Sequence, residues 1–272
     1  IPTSKGLLYM NEIGDVNGDQ WQDIDNLQVH TRTIGGNPVS KFYVNGRRPT
    51  KKITTSTGME IECTFNHRFR VYNMETHTLD WKRADELCEG NILPYIVDTV
   101  CSFKPTEYIQ LKSAPSFYKK PITCPSHLTE DLAWLIGIYT GDGSNHKAGI
   151  RISGNLDDMA PLEKSMDLIS GIFGFKAIFE VDKRHGKRCY VNFSSRQLLV
   201  FLTENGLSKS KSASIEIPLK VRQSPPSVLA AFLDGYWAAD GRGGKPKGLR
   251  TWCTISKKMA LQVMNALRYL GQ

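Results

Sequence analysis

The sequence predicts a multidomain protein with a β-rich module over residues 1–100, a connector over residues 101–127 and an α+β region over residues 128–272. Three observations lead to this prediction. Glycines punctuate short runs throughout the first hundred residues, which is typical of turns between short strands. Four prolines break the connector and prevent a long helix there. Two similar apolar runs, each closed by Asp-Gly, then open two repeats of the αββαββα kind, the second of them incomplete.

The β-rich module contains two short runs that we expect to form strands, Lys51–Thr54 and Met59–Thr64. Thr64 and His67 stand three residues apart at the end of the second run. A hydroxyl and an imidazole at this spacing can point at the same peptide group. A histidine near a turn is also often an ordinary polar loop residue, so the pair is a candidate site only in its wider context.

Two apolar runs, Leu135–Gly143 and Leu233–Gly241, predict two helices that pack closely against each other. Each run has small residues four positions apart, and residues at this spacing lie on one helix face. Small side chains there let two helix backbones approach. The small residues are Gly137 and Gly141 in the first run and Gly235 and Ala239 in the second.

Each apolar run ends in an aspartate, Asp142 or Asp240, followed by a glycine that we expect in the left-handed conformation just after the helix. Each carboxylate then lies in the last helical turn, where the negative end of the helix dipole disfavours it. Packing the helices together brings both carboxylates to one point, where a cation would stabilise them. The sequence therefore predicts a site for Mg²⁺ or Mn²⁺ at Asp142 and Asp240, with Gly141 and Ala239 included. Two unrelated buried helices with locally bonded aspartates are the alternative, and the recurrence of the motif argues against it.

Charge is unevenly distributed along the chain. The formal net charge is +8, and residues 126–272 hold 20 lysines and arginines against 13 aspartates and glutamates, whereas residues 1–125 hold 15 against 14. A basic excess in the repeat region favours double-stranded DNA as a partner, although a merely soluble basic surface is an alternative. The connector either contacts the phosphate backbone or is a solvated linker; its candidate residues are Lys104, Tyr108, Lys112, Phe117, Tyr118, Lys119 and Lys120. No apolar run approaches the roughly 20 residues of a membrane span, and the six cysteines lack metal-binding spacing. We therefore expect no membrane partner and a cytoplasmic protein, associated with the nucleoid or nucleus through DNA.

The region 128–272 divides into repeat one, residues 128–220, and a partial repeat two, residues 221–272. The predicted elements of repeat one are a helix begun by Thr129, a strand over 147–153, a helix over 156–173, a hairpin over 175–195 and a helix over 195–207. Repeat two has one further strand region and a helix over 256–270 before the chain ends. We expect its missing part to come from the rest of a longer precursor or from a second chain.

Polar faces of the predicted strands carry basic and aromatic side chains, which we expect to form a saddle over the DNA duplex. The candidates in repeat one are Lys147, Arg151, Lys176, Arg188, Tyr190 and Asn192. The candidates in repeat two are Arg242, Lys245, Lys247, Arg250, Trp252 and Thr254. Arg151 and Arg250 stand on corresponding strands, where an arginine can reach O6 and N7 of guanine. A solvated sheet face is the plainer alternative.

The repeated motif resembles that of the LAGLIDADG homing endonucleases, whose name spells the nine-residue run. The match is strong at the small residues and the acid, while Thr140 and Ala238 replace the family's first aspartate, which is not the metal ligand. The resemblance implies an enzyme that cuts both DNA strands by metal-dependent phosphodiester hydrolysis, with Asp142 and Asp240 as its catalytic acids.

The same resemblance implies a catalytic lysine two residues before an Ile-Pro pair. Here the pair is Ile217-Pro218, and the residue at the lysine position is Ile215. Lys211 and Lys220 are the nearest candidates for that role.

Residues 1–98 are similar to the amino-terminal half of a Hint (hedgehog/intein) domain. Thr64 and His67 match its T-x-x-H pair, which in that family activates the scissile peptide, and Trp81–Asn91 resembles its W-x-x-A-x-x-L-x-x-G-D segment. Asn91 replaces the final aspartate, and the terminal splicing nucleophiles are not in the sequence.

The two resemblances together imply a site-specific DNA homing endonuclease embedded in an intein. Two other functions stay open. If no other residue takes the role of the missing lysine, the chain binds DNA with the same fold but does not cleave it. It is chiefly a protein-splicing fragment if Thr64 and His67 assist an acyl shift in a longer precursor.

Overall fold

The computed structural model of the chain describes residues 1–30, 36–94, 104–184, 186–244 and 249–272. None of the helices in these ranges has the length and apolar character needed to span a bilayer.

The first part of the chain, up to residue 94, consists of short antiparallel strands, with no α-helix in its described residues. The strands are β1 (Pro2–Thr3), β2 (Gly6–Leu7), β3 (Trp21–Asp23), β4 (Gln28–Val29), β5 (Asn37–Pro38), β6 (Lys41–Tyr43), β7 (Thr50–Thr54), β8 (Glu60–Thr64), β9 (Arg68–Asn73) and β10 (Thr78–Arg83). They form one four-stranded sheet in the order β2-β1-β4-β5 and three two-stranded pairs, β3 with β6, β7 with β8 and β9 with β10. Short 3-10 turns lie at Met10–Glu12 and Ala84–Glu86.

The second part alternates helices and hairpins. Its elements are α1 (Glu130–Asp142), β11 (Gly143–His146), β12 (Gly149–Asn155), α2 (Ala160–Phe173), β13 (Ile178–Val181), β14 (Arg188–Phe193), α3 (Arg196–Glu204), a 3-10 turn (Ser212–Ser214), α4 (Leu219–Arg222), α5 (Pro226–Asp240), β15 (Gly241–Gly244), β16 (Leu249–Trp252) and α6 (Lys257–Leu270). Strands β11 to β14 form one antiparallel sheet in the order β11-β12-β14-β13, and β15 pairs with β16. The order from α1 to α3 is thus helix, two strands, helix, two strands, helix.

Helices α1 and α5 pack with their backbones in near contact, as the spacing of small residues predicts. A Cβ atom placed on Gly137 would lie 2.2 Å from the carbonyl oxygen of Phe232, and one on Gly235 would lie 2.0 Å from that of Trp134. No heavy atom fits at such distances, so glycine is required at both positions. Residues 132–140 of α1 are all buried as a result.

The glycines after the two helices correct one prediction. Gly143 has φ −84° and Gly241 has φ −92°, so neither adopts the expected left-handed conformation. Strands β11 and β15 begin directly at these residues, and the chain leaves each helix in an extended conformation. Glycine is needed there for space, because a Cβ on Gly143 would lie 2.2 Å from the carbonyl oxygen of Tyr139.

The four-stranded sheet covers the helices with one face. Ile150 and Ile152 of β12 and Val191 and Phe193 of β14 are buried in one core with helices α1, α2 and α3. The alternate residues of the same strands point to the other face, as expected for a sheet with one solvated side.

The β-rich part is docked on the helical part through a buried ion pair. Arg222 of α4 is 4% exposed and makes a bidentate pair with Glu12, with nitrogen–oxygen distances of 2.8 and 2.7 Å. Its guanidinium also donates to the carbonyl oxygens of Leu7 and Ile217. Gly6 (φ +87°) allows the close approach, since a Cβ there would lie 2.1 Å from the carbonyl oxygen of Arg222.

Candidate functional site

The two motif aspartates meet where α1 and α5 end. A Cβ placed on Gly141 would lie 3.3 Å from Oδ2 of Asp240 and 2.4 Å from Cβ of Ala239. The carboxylate of Asp240 therefore leans over the backbone that carries Asp142. The charges of both carboxylates raise the pKa of a third group, Lys209. The three charged groups therefore lie close together.

Lys209 is the residue that the sequence interpretation missed. Its ammonium group donates a hydrogen bond to the carbonyl oxygen of Gly141. Its backbone N–H donates to the hydroxyl of Tyr139 at 3.0 Å, and its carbonyl accepts from the side-chain amide of Asn145 at 3.2 Å. Tyr139 in turn donates to Asn145. The lysine is thus held by residues of α1 and β11, and it lies in an irregular segment whose sequence spacing does not indicate this position.

Burial and mutual repulsion shift the acidity of the site. Burial and, after it, the charge of Asp240 raise the pKa of Asp142 to about 6, against the opposing effects of Lys209 and Arg188. Burial also raises the pKa of Asp240 and outweighs the nearby Tyr236 hydroxyl and Lys209, which lower it. Burial lowers the pKa of Lys209 although both carboxylates raise it. All three pKa shifts indicate charged groups that are partly removed from water.

The oxygen atoms at this point suit a hard divalent cation. Mg²⁺ is commonly bound by one or two carboxylates, with waters and phosphate oxygens completing its shell. Asp142 and Asp240 supply two carboxylates, whereas the Gly141 carbonyl is engaged by Lys209 and Ala239 contributes a packing contact. Within the described ranges, no group of three or more acidic, histidine or cysteine side chains is gathered for a metal. A cation at this site would therefore keep most of its shell for water or phosphate.

The two lysines proposed from the sequence, Lys211 and Lys220, have different surroundings. Lys220 donates to the carbonyl oxygen of Gln110 at 3.2 Å and to the side chain of Asn205 at 3.1 Å. Lys211 is exposed and precedes the 3-10 turn at Ser212–Ser214. Of these lysines and Lys209, it is Lys209 whose ammonium group lies beside the aspartates.

The polar face of the four-stranded sheet brings Arg151, Arg188, Tyr190 and Asn192 together, but Asn192 is only 5% exposed and therefore orients Arg151 instead of facing solvent. The guanidinium of Arg151 donates to the side chain of Asn192 at 2.7 Å and lies 4.6 Å from the ring centroid of Tyr190. Arg188 lies 5.9 Å from the same ring. Tyr190 therefore has two arginines beside its ring, while its hydroxyl donates to Asp182 at 3.2 Å.

Two repeat-one candidates lie outside the strands. Lys147 was expected on a strand face, but it falls in the turn between β11 and β12, because Gly143–His146 forms the first strand of this hairpin. Lys176 is exposed and precedes β13.

In repeat two, Arg250 pairs with Asp234 and lies 4.9 Å from the ring centroid of Trp237. The charge of Arg250 is therefore paired with Asp234 in the middle of α5, and both side chains remain half exposed. Arg242 is exposed on β15, and Trp252 is half-buried on β16. Thr254 follows β16 and accepts a hydrogen bond from the backbone of Ser256, whereas Lys245 and Lys247 lie outside the described residues.

Thr64 and His67 lie in one turn of the β-rich part. The backbone N–H of His67 donates to the carbonyl oxygen of Thr64 at 3.0 Å, and the imidazole of His67 packs on the edge of Phe69. The imidazole is exposed. The spacing of Thr64 and His67 is thus that of a hydrogen-bonded turn.

Comparison with known proteins finds relatives at 24–27% identity. The chain is similar to the replicative DNA helicase DnaB of Rhodothermus marinus, with 26% identity over 86% of this chain and 23% of the relative. It is similar to the replication factor C small subunit of Methanocaldococcus jannaschii, with 27% identity over 86% of this chain and 11% of the relative. It is also similar to one component of the A-type ATP synthase of Pyrococcus abyssi, with 25% identity over 81% of this chain and 21% of the relative. No protein-family model matches the chain.

These matches share one property. Each covers at least 81% of this chain but only a tenth to a quarter of the relative. Most of this chain is therefore similar to a short part of each relative, and the relatives have different names.

The comparisons correct the family assignment made from the sequence. The relatives are named as a replicative helicase, a replication factor and part of an ATP synthase, and none of these names refers to an endonuclease or an intein. We therefore withdraw the assignment to intein-type LAGLIDADG homing endonucleases, together with phosphodiester hydrolysis as the function. The splicing roles of Thr64 and His67 are withdrawn with it.

The sequence lacks the segment that forms the phosphate-binding loop common to many ATP-binding proteins. The chain contains no G-x-x-x-x-G-K-S/T segment, since Gly186-Lys187 is followed by Arg188 and Gly244-Lys245 by Pro246. The phosphate-binding loop that this segment forms is thus absent from the sequence.

Proposed function

We propose that this chain binds double-stranded DNA, with a divalent cation at Asp142 and Asp240 joining the protein to the phosphate backbone. Two of the relatives carry names that refer to DNA or to replication, the replicative DNA helicase and the replication factor C small subunit. Because the chain spans only a part of each, the proposal concerns DNA binding and not their whole activity.

The observation that carries the proposal is the position of the two carboxylates between two hairpins. Strand β11 starts at the residue after Asp142, and β15 starts at the residue after Asp240. The hairpin β11–β12 therefore begins beside Asp142, and the hairpin β15–β16 begins beside Asp240. A double helix lying along both hairpins would bring its phosphates to this acidic point.

Carboxylates alone would repel a phosphate backbone, so the acidic point needs a cation in this arrangement. Lys209 contributes one positive charge but is tied to the carbonyl oxygen of Gly141. A divalent cation supplies two further charges and accepts phosphate oxygens in its shell. DNA affinity should therefore depend on Mg²⁺ or Mn²⁺.

The arginines on the solvated sheet face provide the remaining attraction. Arg151 and Arg188 are both held against the ring of Tyr190, so little side-chain freedom is lost when they meet a phosphate or a base edge. Arg151 is further oriented by Asn192. In the major groove an arginine placed in this way discriminates guanine, at about 1–3 kcal/mol per bidentate contact.

The proposal is tested by fluorescence anisotropy with a labelled duplex, over a salt series, with EDTA or Mg²⁺. Mg²⁺ is expected to tighten binding by the wild type but not by Asp142→Asn or Asp240→Asn. Tyr190→Ala should weaken binding in either condition because both arginines lose their support, whereas Tyr190→Phe should bind like the wild type. Arg47→Ala, which removes an exposed charge from the β-rich part, is the matched control.

Each variant is first compared with the wild type by circular dichroism, and recovered DNA is sized on a denaturing gel, which separates strand scission from loss of binding. Equal affinity with EDTA and with Mg²⁺ would remove the cation from the proposal. Equal weakening by Arg47→Ala and Tyr190→Ala would place the DNA surface elsewhere.

A further inference from the structure

The connector before α1 presents a stacked pair of aromatic rings. Phe117 and Tyr118 have ring centroids 4.7 Å apart at an interplanar angle of 28°. Phe117 is 80% exposed, whereas Tyr118 is half-buried. Tyr118 thus supports one face of Phe117, and the opposite face is open to a planar ligand.

The loop that carries the rings is fixed at its base by Ser195, which precedes α3, and by Gln197 in its first turn. The hydroxyl of Ser195 donates to the carbonyl oxygen of Lys120 at 2.9 Å. The side chain of Gln197 accepts from the backbone N–H of Ile122 at 2.8 Å and donates to the carbonyl oxygen of Ala114 at 3.1 Å. Ser195 and Gln197 are themselves buried. The exposed ring therefore projects from an anchored loop.

The segment that carries the rings contains charges of only one sign. Residues 108–129 contain no aspartate or glutamate, and Lys119 and Lys120 directly follow the two rings. Arg196, the first residue of α3, is exposed next to the anchoring Ser195. An open aromatic face with exposed cations beside it is the composition of surfaces that bind unpaired nucleic-acid strands, on which bases stack while phosphates meet the cations.

We propose that Phe117 stacks on a base of an unpaired DNA strand and that Lys119 and Lys120 contact the adjacent phosphates. This inference deepens the proposed function, and it rests on that function only in taking DNA as the partner. The duplex would lie on the hairpin face, and the unpaired strand on the connector. Since every base has a flat π face, the contact should tolerate any sequence.

The test uses a labelled oligothymidylate of about 12 nucleotides, a length within the site sizes of single-strand binding surfaces. Phe117→Ala should weaken its binding about 5- to 100-fold, as expected for the loss of one stacked base, whereas Phe117→Trp should bind at least as tightly as the wild type. Phe65→Ala, at an exposed phenylalanine of the β-rich part, should have no effect. Lys119→Ala should reduce the salt dependence by about 0.7 in the logarithmic slope.

The same variants are measured with the duplex, so that failure of this inference and failure of the proposed function are distinguishable. Unchanged duplex binding by Phe117→Ala, together with weakened single-strand binding, supports the inference. If the wild type binds no duplex but its single-strand binding depends on Phe117, the inference stands and the duplex proposal fails. Equal single-strand affinity of Phe117→Ala and the wild type overturns the inference, as does an equal loss on the duplex or no binding of the single strand by the wild type.

Discussion

The ammonium group of Lys209 is bound to the carbonyl oxygen of Gly141, the residue immediately before Asp142. This contact places one positive charge beside two carboxylates that are both partly removed from water. A single ammonium leaves the group with one excess negative charge when both acids are ionised. Burial raises the pKa of both aspartates, and the charge of Asp240 adds to the rise at Asp142.

The first prediction concerns the pH dependence of stability. Because the pKa of Asp142 is raised from 3.8 to about 6, its folded form binds the proton more tightly than its unfolded form. Its contribution to stability is present at low pH and is lost as pH rises through about 6, by at most about 3 kcal/mol. Asp142→Asn should therefore melt at a higher temperature than the wild type at about pH 7.5 in EDTA, and the difference should shrink at about pH 5.

Mg²⁺ should raise the melting temperature of the wild type at the higher pH and leave Asp142→Asn unchanged. The comparison between the two proteins removes the effect of other carboxyls. One of these is Glu12, where burial raises the pKa but is outweighed by the hydrogen bonds from Arg222 and the Tyr9 backbone together with the charges of Arg222 and Lys258. If Asp142→Asn melts below the wild type at both pH values, the acid pair is a stabilising feature and this prediction is wrong.

The second prediction concerns the contact between α1 and α5. Gly137→Ala should destabilise the fold by about 3 kcal/mol, because the new Cβ would lie 2.2 Å from a backbone oxygen that cannot move alone. Gly171→Ala is the matched control, since this glycine lies inside α2 with no atom within 4 Å of an added Cβ. It should stabilise the fold by about 0.5–1 kcal/mol through helix propensity. Urea denaturation measures both, and a neutral Gly137→Ala would contradict the close packing.

The third prediction concerns the ion pair between Arg222 and Glu12. Glu12→Gln should destabilise the fold by about 3 kcal/mol, because it leaves a buried guanidinium without its counter-charge. Asp23→Asn breaks the exposed pair with Lys41 and should change stability by less than about 1 kcal/mol. Denaturant midpoints of the two variants, at neutral pH and moderate salt, provide the comparison. Similar midpoints would show that the pair does not hold the two parts together.

The spacing of residues in the sequence was sufficient to predict which face of a single helix or strand a side chain lies on. The small residues of the two apolar runs predict the α1–α5 contact, since position along a helix determines the face. The alternation in β12 and β14 likewise predicts that Arg151 and Tyr190 share the solvated face.

The sequence was insufficient where the position of a residue depends on contacts between segments that are far apart along the chain. Lys209 lies in an irregular segment that reaches the aspartates only after α3, and Glu12 meets Arg222 from 210 residues away. The glycines after the helices were misjudged because the strands that begin there demand an extended chain. A local pattern contains none of these constraints.

The docking of Glu12 on Arg222 has a consequence for synthesis of the protein. The two residues are 210 positions apart, so a ribosome adding roughly 5–20 residues per second makes Arg222 about 10–40 s after Glu12. Throughout that interval the carboxylate and the neighbouring Leu7 have no partner from α4. Strands β1, β2, β4 and β5 can pair with one another during this interval, but their docking through Arg222 has to wait until α4 has left the exit tunnel.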